Sequence, residues 1–380
     1  MNIQKKNSAD PLQTPPLEAS GPFLRPKFAQ GNEFQSELRR RVDAYFEQPG
    51  RRARDCPQMY VKTAVILLAF ALTYGLLVFV VNAWYLALPL AVLLGLAITG
   101  IGFNIMHDGG HGGYSANPRI NRLMALSLDL VGVSSFFWRW NHGVLHHTYT
   151  SVSGHDVDLG QGVLRRLSPH QKHLAHHRWQ HWYMWPLYGA LVIKWHLFDD
   201  FHDLVTGRSM NMRMPRPWGT ELALLIGGKV VFFNLAFVIP MLMHSPWVVL
   251  AYYGVTVFVT GITLSVVFQV AHCVEEGMFP QPDPDTHRLL QPWAVHQVET
   301  TVDFLRDSRV ATWLLGGLNF QIEHHLFPHI CHINYPGLSK VVEQTCQEFG
   351  IRYNEHKSLW AGIGSHARWL QTMSLPNEGL

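Results

Sequence analysis

The feature that most restricts the fold of this chain is a set of four long apolar stretches. They cover residues 63–81, 85–106, 221–243 and 247–271. As a helix, the first would span about 30 Å, the thickness of the hydrocarbon core of a bilayer. Charged residues make up only 15% of the chain, which is low for a soluble protein of 380 residues. Because short breaks join the stretches in pairs, the sequence predicts an all-α integral membrane protein whose four transmembrane helices form two hairpins.

Basic residues are distributed unevenly between the loops. The breaks within the hairpins, 82–84 and 244–246, carry no Lys or Arg. The amino-terminal segment and the long middle stretch are basic, at Arg39, Arg40, Arg41, Arg51, Arg52, Arg54, Arg165, Arg166, Lys172 and Arg178. The positive-inside rule therefore predicts that both termini and the middle stretch are cytoplasmic. No short apolar core with a cleavage site precedes the first stretch, so we expect an uncleaved anchor. The four cysteines would then lie on the reducing side, where disulfides rarely form.

The rest of the chain is predicted to form a tail and a cytosolic cap. Residues 1–30 are rich in Pro, Ser, Gln and Asn and are predicted to be disordered, which leaves 31–380 as one membrane domain. The cap comprises residues 107–220 and 272–380. It is expected to be helical.

Two apolar segments of the cap are too short or too polar to be further spans. Residues 123–138 are interrupted by Gly132 and two serines, so we expect a buried or re-entrant helix. Residues 182–198 contain Lys194 and His196, which favours a helix lying in the membrane interface. Helical patterns are also present at 32–47, 293–305 and 335–349.

Eight histidines form three tight clusters and one isolated position: His107, His111, His142, His146, His147, His272, His324 and His325. His107 and His111 are four residues apart, as are His142 and His146, so on a helix each pair can converge on one metal ion. His147 would point about 100° away, toward a second ion. Eight ligands exceed the roughly four of a zinc site, so two ions are expected. Imidazole binds iron, zinc, copper and nickel, which leaves the metal open.

The predicted topology places these clusters at one face of the membrane, because His107 and His272 directly follow the second and fourth apolar stretches. A metal transporter, the alternative from another class, would place its ligands near the bilayer midplane. The dense run from His170 to His181 mixes faces of a helix, and we expect it to lie in the interface without binding metal. The formal charge of +3 indicates no nucleic-acid surface.

Three segments around these clusters resemble a known family. FNIMHDGGHGGYS, WNHGVLHHTYTSVSGHDVD and GGLNFQIEHHLFPHICHINYP are similar to the three histidine boxes of integral-membrane fatty acid desaturases, and most similar to the front-end group, whose third box opens with Gln. The resemblance implies four transmembrane helices under a cytosolic cap, and a diiron centre that activates O2. It also implies that the eight histidines are the catalytic metal ligands, with Gln321 as a weak or water-mediated partner.

The chain departs from many front-end members because it lacks a fused cytochrome domain with a His-Pro-Gly-Gly haem motif. The resemblance then implies a separate ferredoxin or cytochrome as electron donor, as in bacterial members, and a location in a bacterial inner membrane. A donor could dock on Arg165, Arg166, Lys172 and Arg178, although these charges could equally face lipid headgroups. The acyl carrier stays open between coenzyme A, acyl carrier protein and a glycerolipid.

Further residues are candidates for supporting roles. Four carboxylates near the boxes could accept hydrogen bonds from ligand N–H groups: Asp108, Asp156, Asp158 and Glu323. The substrate channel could be lined by Trp138, Trp140, Trp293 and Gln297. Zinc is redox-inert and cannot oxidise an unactivated CH2 group. Iron with O2 can, and the same boxes serve hydroxylases, acetylenases and conjugases, so these activities remain alternatives to desaturation.

Overall fold

Four long apolar helices form the membrane part of the protein in a computed structural model that describes residues 25–160, 163–210 and 212–376. They are Pro57–Phe79, Trp84–Gly110, Thr220–Met243 and Pro246–His272. All four predicted stretches are confirmed as helices. The first begins earlier than predicted because Pro57 occupies its first turn, where a missing N–H costs nothing. In the most apolar window of the third helix only 17% of residues are buried, so most of its side chains face outward, as contact with lipid requires.

The second and fourth spans pack closely through small residues. A Cβ atom at Gly95 would lie 2.7 Å from the backbone oxygen of Thr256, so only glycine permits this approach. The Thr260 hydroxyl donates to the Gly95 oxygen at 3.0 Å. These two spans carry His107 and His272 at or near their carboxyl-terminal ends. Their tight packing therefore sets the distance between two of the candidate ligands.

The segment after the second span turns back on itself. Helices Pro118–Leu130 and Ser135–His146 are bent by 117° at a break that contains Gly132, whose φ of +94° favours glycine. The segment starts after His111 and ends at His142 and His146, and the rings of His111 and His142 are 5.2 Å apart. Because both ends meet at one place, the bent pair has the geometry of a re-entrant segment, which agrees with the prediction of a buried or re-entrant helix at 123–138.

Short helices and strands complete the cap. Its helical segments are Glu33–Phe46, Ala175–Trp179, Gln180–Gly189, Leu191–Lys194, Trp195–Asp199, Asp200–Thr206, Trp293–Glu299, Arg309–Leu314, Gln321–Leu326, His332–Asn334, Tyr335–Glu348 and Leu359–Thr372. Two-residue strands pair Arg208–Ser209 with Met212–Arg213 in antiparallel fashion, and Asp303–Phe304 with Glu355–His356 in parallel.

One predicted helix is shorter than its pattern indicates. Residues 293–305 are helical only over Trp293–Glu299, because Asp303 and Phe304 pair with the strand near the carboxyl terminus. The Asp303 carboxylate also accepts from the Ile322 N–H at 3.0 Å. Long-range pairing thus overrides local helical periodicity. The helices predicted at 32–47 and 335–349 are confirmed.

The amino-terminal part of the described chain lies against the cap. Phe34, Leu38 and Val42 are buried in one core cluster with Val298 and Leu338. Before this helix, residues 25–30 run beside 287–291, where the Lys27 N–H donates to the His287 oxygen at 3.1 Å. The remainder of the predicted disordered tail, 1–24, lies outside the described residues.

Candidate metal centre

The fold brings all eight predicted histidines together. The carboxyl-terminal ends of the second and fourth spans supply His107 and His272, and the second helix of the bent pair supplies His142 and His146. The short helix Gln321–Leu326 supplies His324 and His325. His111 and His147 directly follow the helical segments that carry His107 and His146. Every one of the eight side chains is buried, with at most 7% of any residue exposed.

Two wide helical turns shape this arrangement. Residues 101–106 and 139–146 adopt π-helical geometry, in which the hydrogen bond spans five residues, and such turns are frequent at functional sites. The second turn brings residues five apart onto one side: His142 Nε2 lies 3.3 Å from His147 Nε2. His147 thus lies nearer to His142 than the 100° of regular α-helical geometry indicates, whereas its grouping with His324 and His325 agrees with the expectation of a second ion.

The ring nitrogens form two main groups, in each of which all the nitrogens lie within 4.8 Å of one another. The first group is His107, His111, His142 and His324, and the second is His146, His272 and His325. His147 lies between them, grouped with His324 and His325. The two main groups therefore divide the pair His142 and His146, although a nitrogen of each ring also lies within 4.8 Å of the other and of an Asp158 oxygen. The arrangement suits two neighbouring ions with His147 in reach of both.

Many of these nitrogens have no hydrogen-bond partner among the described residues, which is the strongest sign of a metal site. Buried nitrogens without a hydrogen bond to a described residue are His111 Nε2, His146 Nε2, His147 Nδ1, His272 Nδ1, His324 Nε2 and His325 Nε2. Buried polar atoms are normally paired, so such a concentration points to an ion. Burial lowers the pKa of His147, His324 and His325 well below its usual range. These rings are therefore neutral, the form that binds metal, and the set fits a pair of metal ions.

Asp156 orients one ligand as predicted. Its carboxylate accepts from His146 Nδ1 at 3.0 Å, which leaves Nε2 for an ion. Asp158 lies 3.2 Å from the same nitrogen, but a single N–H makes the shorter bond, to Asp156. Burial lowers the pKa of His146, yet the two carboxylates outweigh it and raise the pKa to about 9. A cation at Nε2 would take the place of the second ring proton.

Two further ligands are held by groups of different chemistry. His325 Nδ1 donates to the Gln297 side-chain oxygen at 2.9 Å, and that oxygen also accepts from the Thr150 hydroxyl at 3.0 Å. Gln297, predicted to line a substrate channel, therefore positions a ligand. His324 Nδ1 lies 3.4 Å from the Tyr335 hydroxyl. Sequence reasoning missed Thr150 and Tyr335, although the spacing of Thr150 four residues after His146 is a usable signal.

Two predicted carboxylates do not contact a ligand N–H. Asp108 accepts from His332 Nδ1 at 2.9 Å, and the other ring nitrogen of His332 lies 2.9 Å from Lys62 Nζ. Glu323 accepts from the Tyr353 hydroxyl at 2.9 Å. Burial and the neighbouring Asp303 carboxylate raise the pKa of Glu323 well above its usual range. Asp108 and Glu323 therefore bond to His332 and Tyr353, and neither holds the ring of a candidate ligand.

The tryptophans predicted to line a channel have different surroundings. Trp138 stacks on the ring of His142 at 4.7 Å, and the Trp293 indole donates to the His147 backbone oxygen at 3.4 Å. Trp140 packs instead in a separate apolar cluster with Phe136 and Leu225.

Gln321 lies beside the second group, with its side-chain nitrogen 2.9 Å from His272 Nε2. The run from His170 to His181 lies elsewhere and contacts other parts of the cap: His170 Nε2 bonds the Phe279 oxygen and His173 Nε2 the Ser374 oxygen. That run therefore ties the cap to the carboxyl-terminal helix.

Comparisons with known proteins agree with this geometry. The model of the fatty acid desaturase family matches residues 82–357. A sn-1 linoleoyl-lipid 6-desaturase of Synechocystis sp. is 38% identical over 92% of this chain and 98% of its own length. A protein of the same description from Arthrospira platensis is 37% identical over 92% of this chain and 95% of its own. An acyl-lipid (8-3)-desaturase of Physcomitrium patens is 34% identical over 91% of this chain and 73% of its own.

Proposed function

The chain belongs to the fatty acid desaturase family, in its front-end group, and from that premise we propose that its eight clustered histidines hold two iron ions used with O2 to desaturate an acyl lipid. The protein is an oxidoreductase. The observation that carries the proposal is the convergence of the two histidine groups, with six buried ring nitrogens that have no described partner. The electron donor, the acyl carrier and the register of the new bond are parts of the proposal.

The chemistry assigns distinct tasks to the metal and the protein. When bound, a pair of iron ions supplies the reduction of O2 and an oxidant strong enough to remove hydrogen from an unactivated CH2 group. The chain holds the ligands: Asp156 fixes the ring of His146, and Gln297 fixes that of His325. Because all eight ligands are buried, bulk water is excluded from the oxidising site, and the oxidant is directed at the acyl chain.

The relatives favour a particular substrate. Two of them are linoleoyl-lipid 6-desaturases that match nearly the whole chain. We therefore place the new double bond at carbon 6, counted from the carboxyl end, in an unsaturated acyl chain carried by a lipid. Gln321, which opens the third box and contacts His272, is a feature of the front-end group. Its presence supports a register fixed from the carboxyl side.

The proposed orientation follows from the loops. We propose that residues 31–380 form one desaturase domain with both termini, the cap and the metal centre on the cytoplasmic side of a bacterial inner membrane. The absence of Lys and Arg from the breaks at 82–84 and 244–246 supports this orientation. We also propose that electrons come from a separate ferredoxin or cytochrome on that side.

Product analysis tests the proposal directly. A host without polyunsaturated lipids would express the chain and receive linoleate and longer unsaturated acids, and mass spectrometry would locate new double bonds. We expect a new bond at carbon 6 whatever the distance to the methyl end. His325→Ala should abolish the product, whereas His170→Ala, outside the centre, should not.

Three results would contradict the proposal in different parts. A hydroxylated or acetylenic product would show that the centre performs a related oxidation. A bond that keeps its distance from the methyl end would remove the front-end register. No new product from wild-type chain with bound iron and a working donor would defeat the desaturase function.

A further inference from the structure

The surface expected to receive an electron donor has only part of the exposed charge that the sequence indicated. Arg166 is fully buried, and its guanidinium donates to the backbone oxygens of Met373 and Leu375 at 2.9 and 2.8 Å. It therefore fixes the carboxyl-terminal segment. Of the predicted docking residues, Lys172 and Arg178 are exposed, and no described contact connects either to a candidate metal ligand.

Another part of the cap connects the surface to the metal centre by one hydrogen bond. His329 is exposed, and its Nδ1 donates to the backbone oxygen of His111 at 2.5 Å. The His111 side chain belongs to the four-histidine group. An electron that reaches the His329 ring is thus one hydrogen bond from the backbone of a candidate ligand.

This exposed ring lies beside a basic segment. Arg54 Nε donates to the His329 backbone oxygen at 2.9 Å, and Arg51 and Arg52 precede it in the chain. All three arginines are exposed, and within the described part of the chain none forms an ion pair with a carboxylate. We refer to Arg51, Arg52, Arg54 and His329 as the arginine patch.

The arginine patch is held firmly against the third histidine box. The Cys331 N–H donates to the Ala53 oxygen at 2.8 Å, and the Asn334 side chain donates to the Arg52 oxygen at 2.9 Å. The Arg51 guanidinium lies 3.6 Å above the Tyr45 ring. A surface fixed in this way can present its charges in one register, as a short-lived electron-transfer complex requires.

We propose that the arginine patch is the docking surface for an acidic one-electron carrier protein, which delivers electrons to the centre past His329 and His111. The inference rests on the proposed function. Desaturation converts one CH2–CH2 unit, O2, two electrons and two protons into one CH=CH unit and two molecules of water. The acyl chain supplies the other two electrons, so two reduced carriers must each donate one electron in every turnover.

The position of the patch favours a protein partner over lipid headgroups. Juxtamembrane arginines commonly attract anionic lipid, and this segment precedes the first span. Lipid attraction, however, requires no connection to the metal centre. The contacts of His329 with His111 and Arg54 provide one. We therefore commit to the carrier, and binding to lipid alone is an outcome of the test.

The test compares two charge reversals in the full-length chain in nanodiscs. One variant is Arg52→Glu with Arg54→Glu, and its matched control is Lys172→Glu with Arg178→Glu, the competing basic surface. The probe is an acidic [2Fe–2S] ferredoxin or a soluble acidic cytochrome, whichever sustains turnover with the wild-type chain. Equilibrium binding at several salt concentrations and stopped-flow oxidation of the reduced carrier are the two readouts.

We expect the Kd for the carrier to rise at least about tenfold in the Arg52 and Arg54 variant at low salt, and the difference to shrink as salt increases. The control pair should bind like wild type. Iron content should be unchanged in both. His329→Leu should slow oxidation of the bound carrier without changing its Kd, and His329→Gln, which retains an N–H donor, should restore part of the rate.

Several outcomes would overturn the docking proposal alone. They are an unchanged Kd in the Arg52 and Arg54 variant, an equal loss in the control pair, or a loss confined to phosphatidylglycerol vesicles while carrier binding persists. A wild-type chain that desaturates only with other electron sources would overturn it too. If the iron-loaded wild-type chain makes no double bond under any donor, the proposed function itself fails.

Discussion

At the scale of single residues, the metal centre depends on groups that aim the histidine rings. Asp156, Gln297 and Tyr335 contact the ring nitrogens of three ligands. Each uses different chemistry: a carboxylate, an amide oxygen and a hydroxyl. Such partners fix the tautomer and the direction of the ring, and their loss typically weakens metal binding or activity by about 10- to 100-fold.

We predict that Asp156→Asn lowers the affinity for iron at the group of His146, His272 and His325 by about 10- to 100-fold. The reason is that an amide oxygen accepts the hydrogen bond from His146 more weakly than a carboxylate does. Asp158→Asn is the matched control. Its carboxylate lies 3.2 Å from the same nitrogen, and its loss should lower the affinity less than the loss of Asp156, because the single N–H makes the shorter bond to Asp156. Chelator competition under anaerobic conditions measures both. A larger effect from Asp158 would reverse the assignment.

Which histidines come together could be predicted from the sequence, but their grouping could not. The spacing of His107 and His111, and of His142, His146 and His147, was sufficient to select these five, whereas the resemblance implied the role of His272. The division of His142 and His146 between two groups depends on the π-helical turn at 139–146, which regular helical geometry does not anticipate. Likewise, the contacts of Asp108 and Glu323 with His332 and Tyr353 join residues far apart in sequence.

At the scale of elements, a buried ion pair joins the third span to the cap. Lys229 Nζ lies 2.7 Å from the Asp200 carboxylate and donates to the Gly132 oxygen at 2.7 Å. The other interactions of Asp200 include the Ser134 N–H at 2.8 Å. This network fixes the bend of the re-entrant segment, whose second helix carries His142 and His146.

We predict that Lys229→Met destabilises the protein by about 3–5 kcal/mol, because Asp200 would remain buried without its partner. The double variant Lys229→Met with Asp200→Asn should recover at least half of that loss, since neither charge is then left alone. Denaturant unfolding in detergent measures the difference. If the double variant lost as much as the sum of the single variants, the two residues would not be coupled.

Hydropathy predicted the membrane helices well because their length and lack of charge are local properties. The failure at 293–305 has the opposite cause. There, the pairing of Asp303–Phe304 with Glu355–His356 depends on residues about fifty positions later, and no local pattern reports it. The re-entrant segment was predicted from its interruption by Gly132, a local signal.

At the scale of the whole molecule, the histidine geometry restricts the topology. Ligands that follow the second span, the re-entrant segment and the fourth span meet in one centre. An even number of crossings must therefore separate them. An extra crossing by 182–198 would place His272 on the opposite side from His146, whereas their rings are 4.8 Å apart.

We predict that a reporter inserted after Asn82 or after Ser245 reads as periplasmic, and that one after Gly207 or at the carboxyl terminus reads as cytoplasmic. Paired alkaline phosphatase and fluorescent protein fusions provide complementary signals for each position. A periplasmic reading after Gly207 would require another crossing and would contradict a single metal centre.

The metal content of the intact protein tests the central claim most directly. Protein purified without oxygen from iron-replete cells should contain close to two irons per chain, with little zinc. His324→Ala should lose iron while the membrane spans still insert, because this ring is grouped with ligands of the first group and with His147 and His325. A chain that holds one iron or none, or a stoichiometric amount of zinc, would contradict the diiron centre. Full iron content in the His324 variant would remove that residue from it.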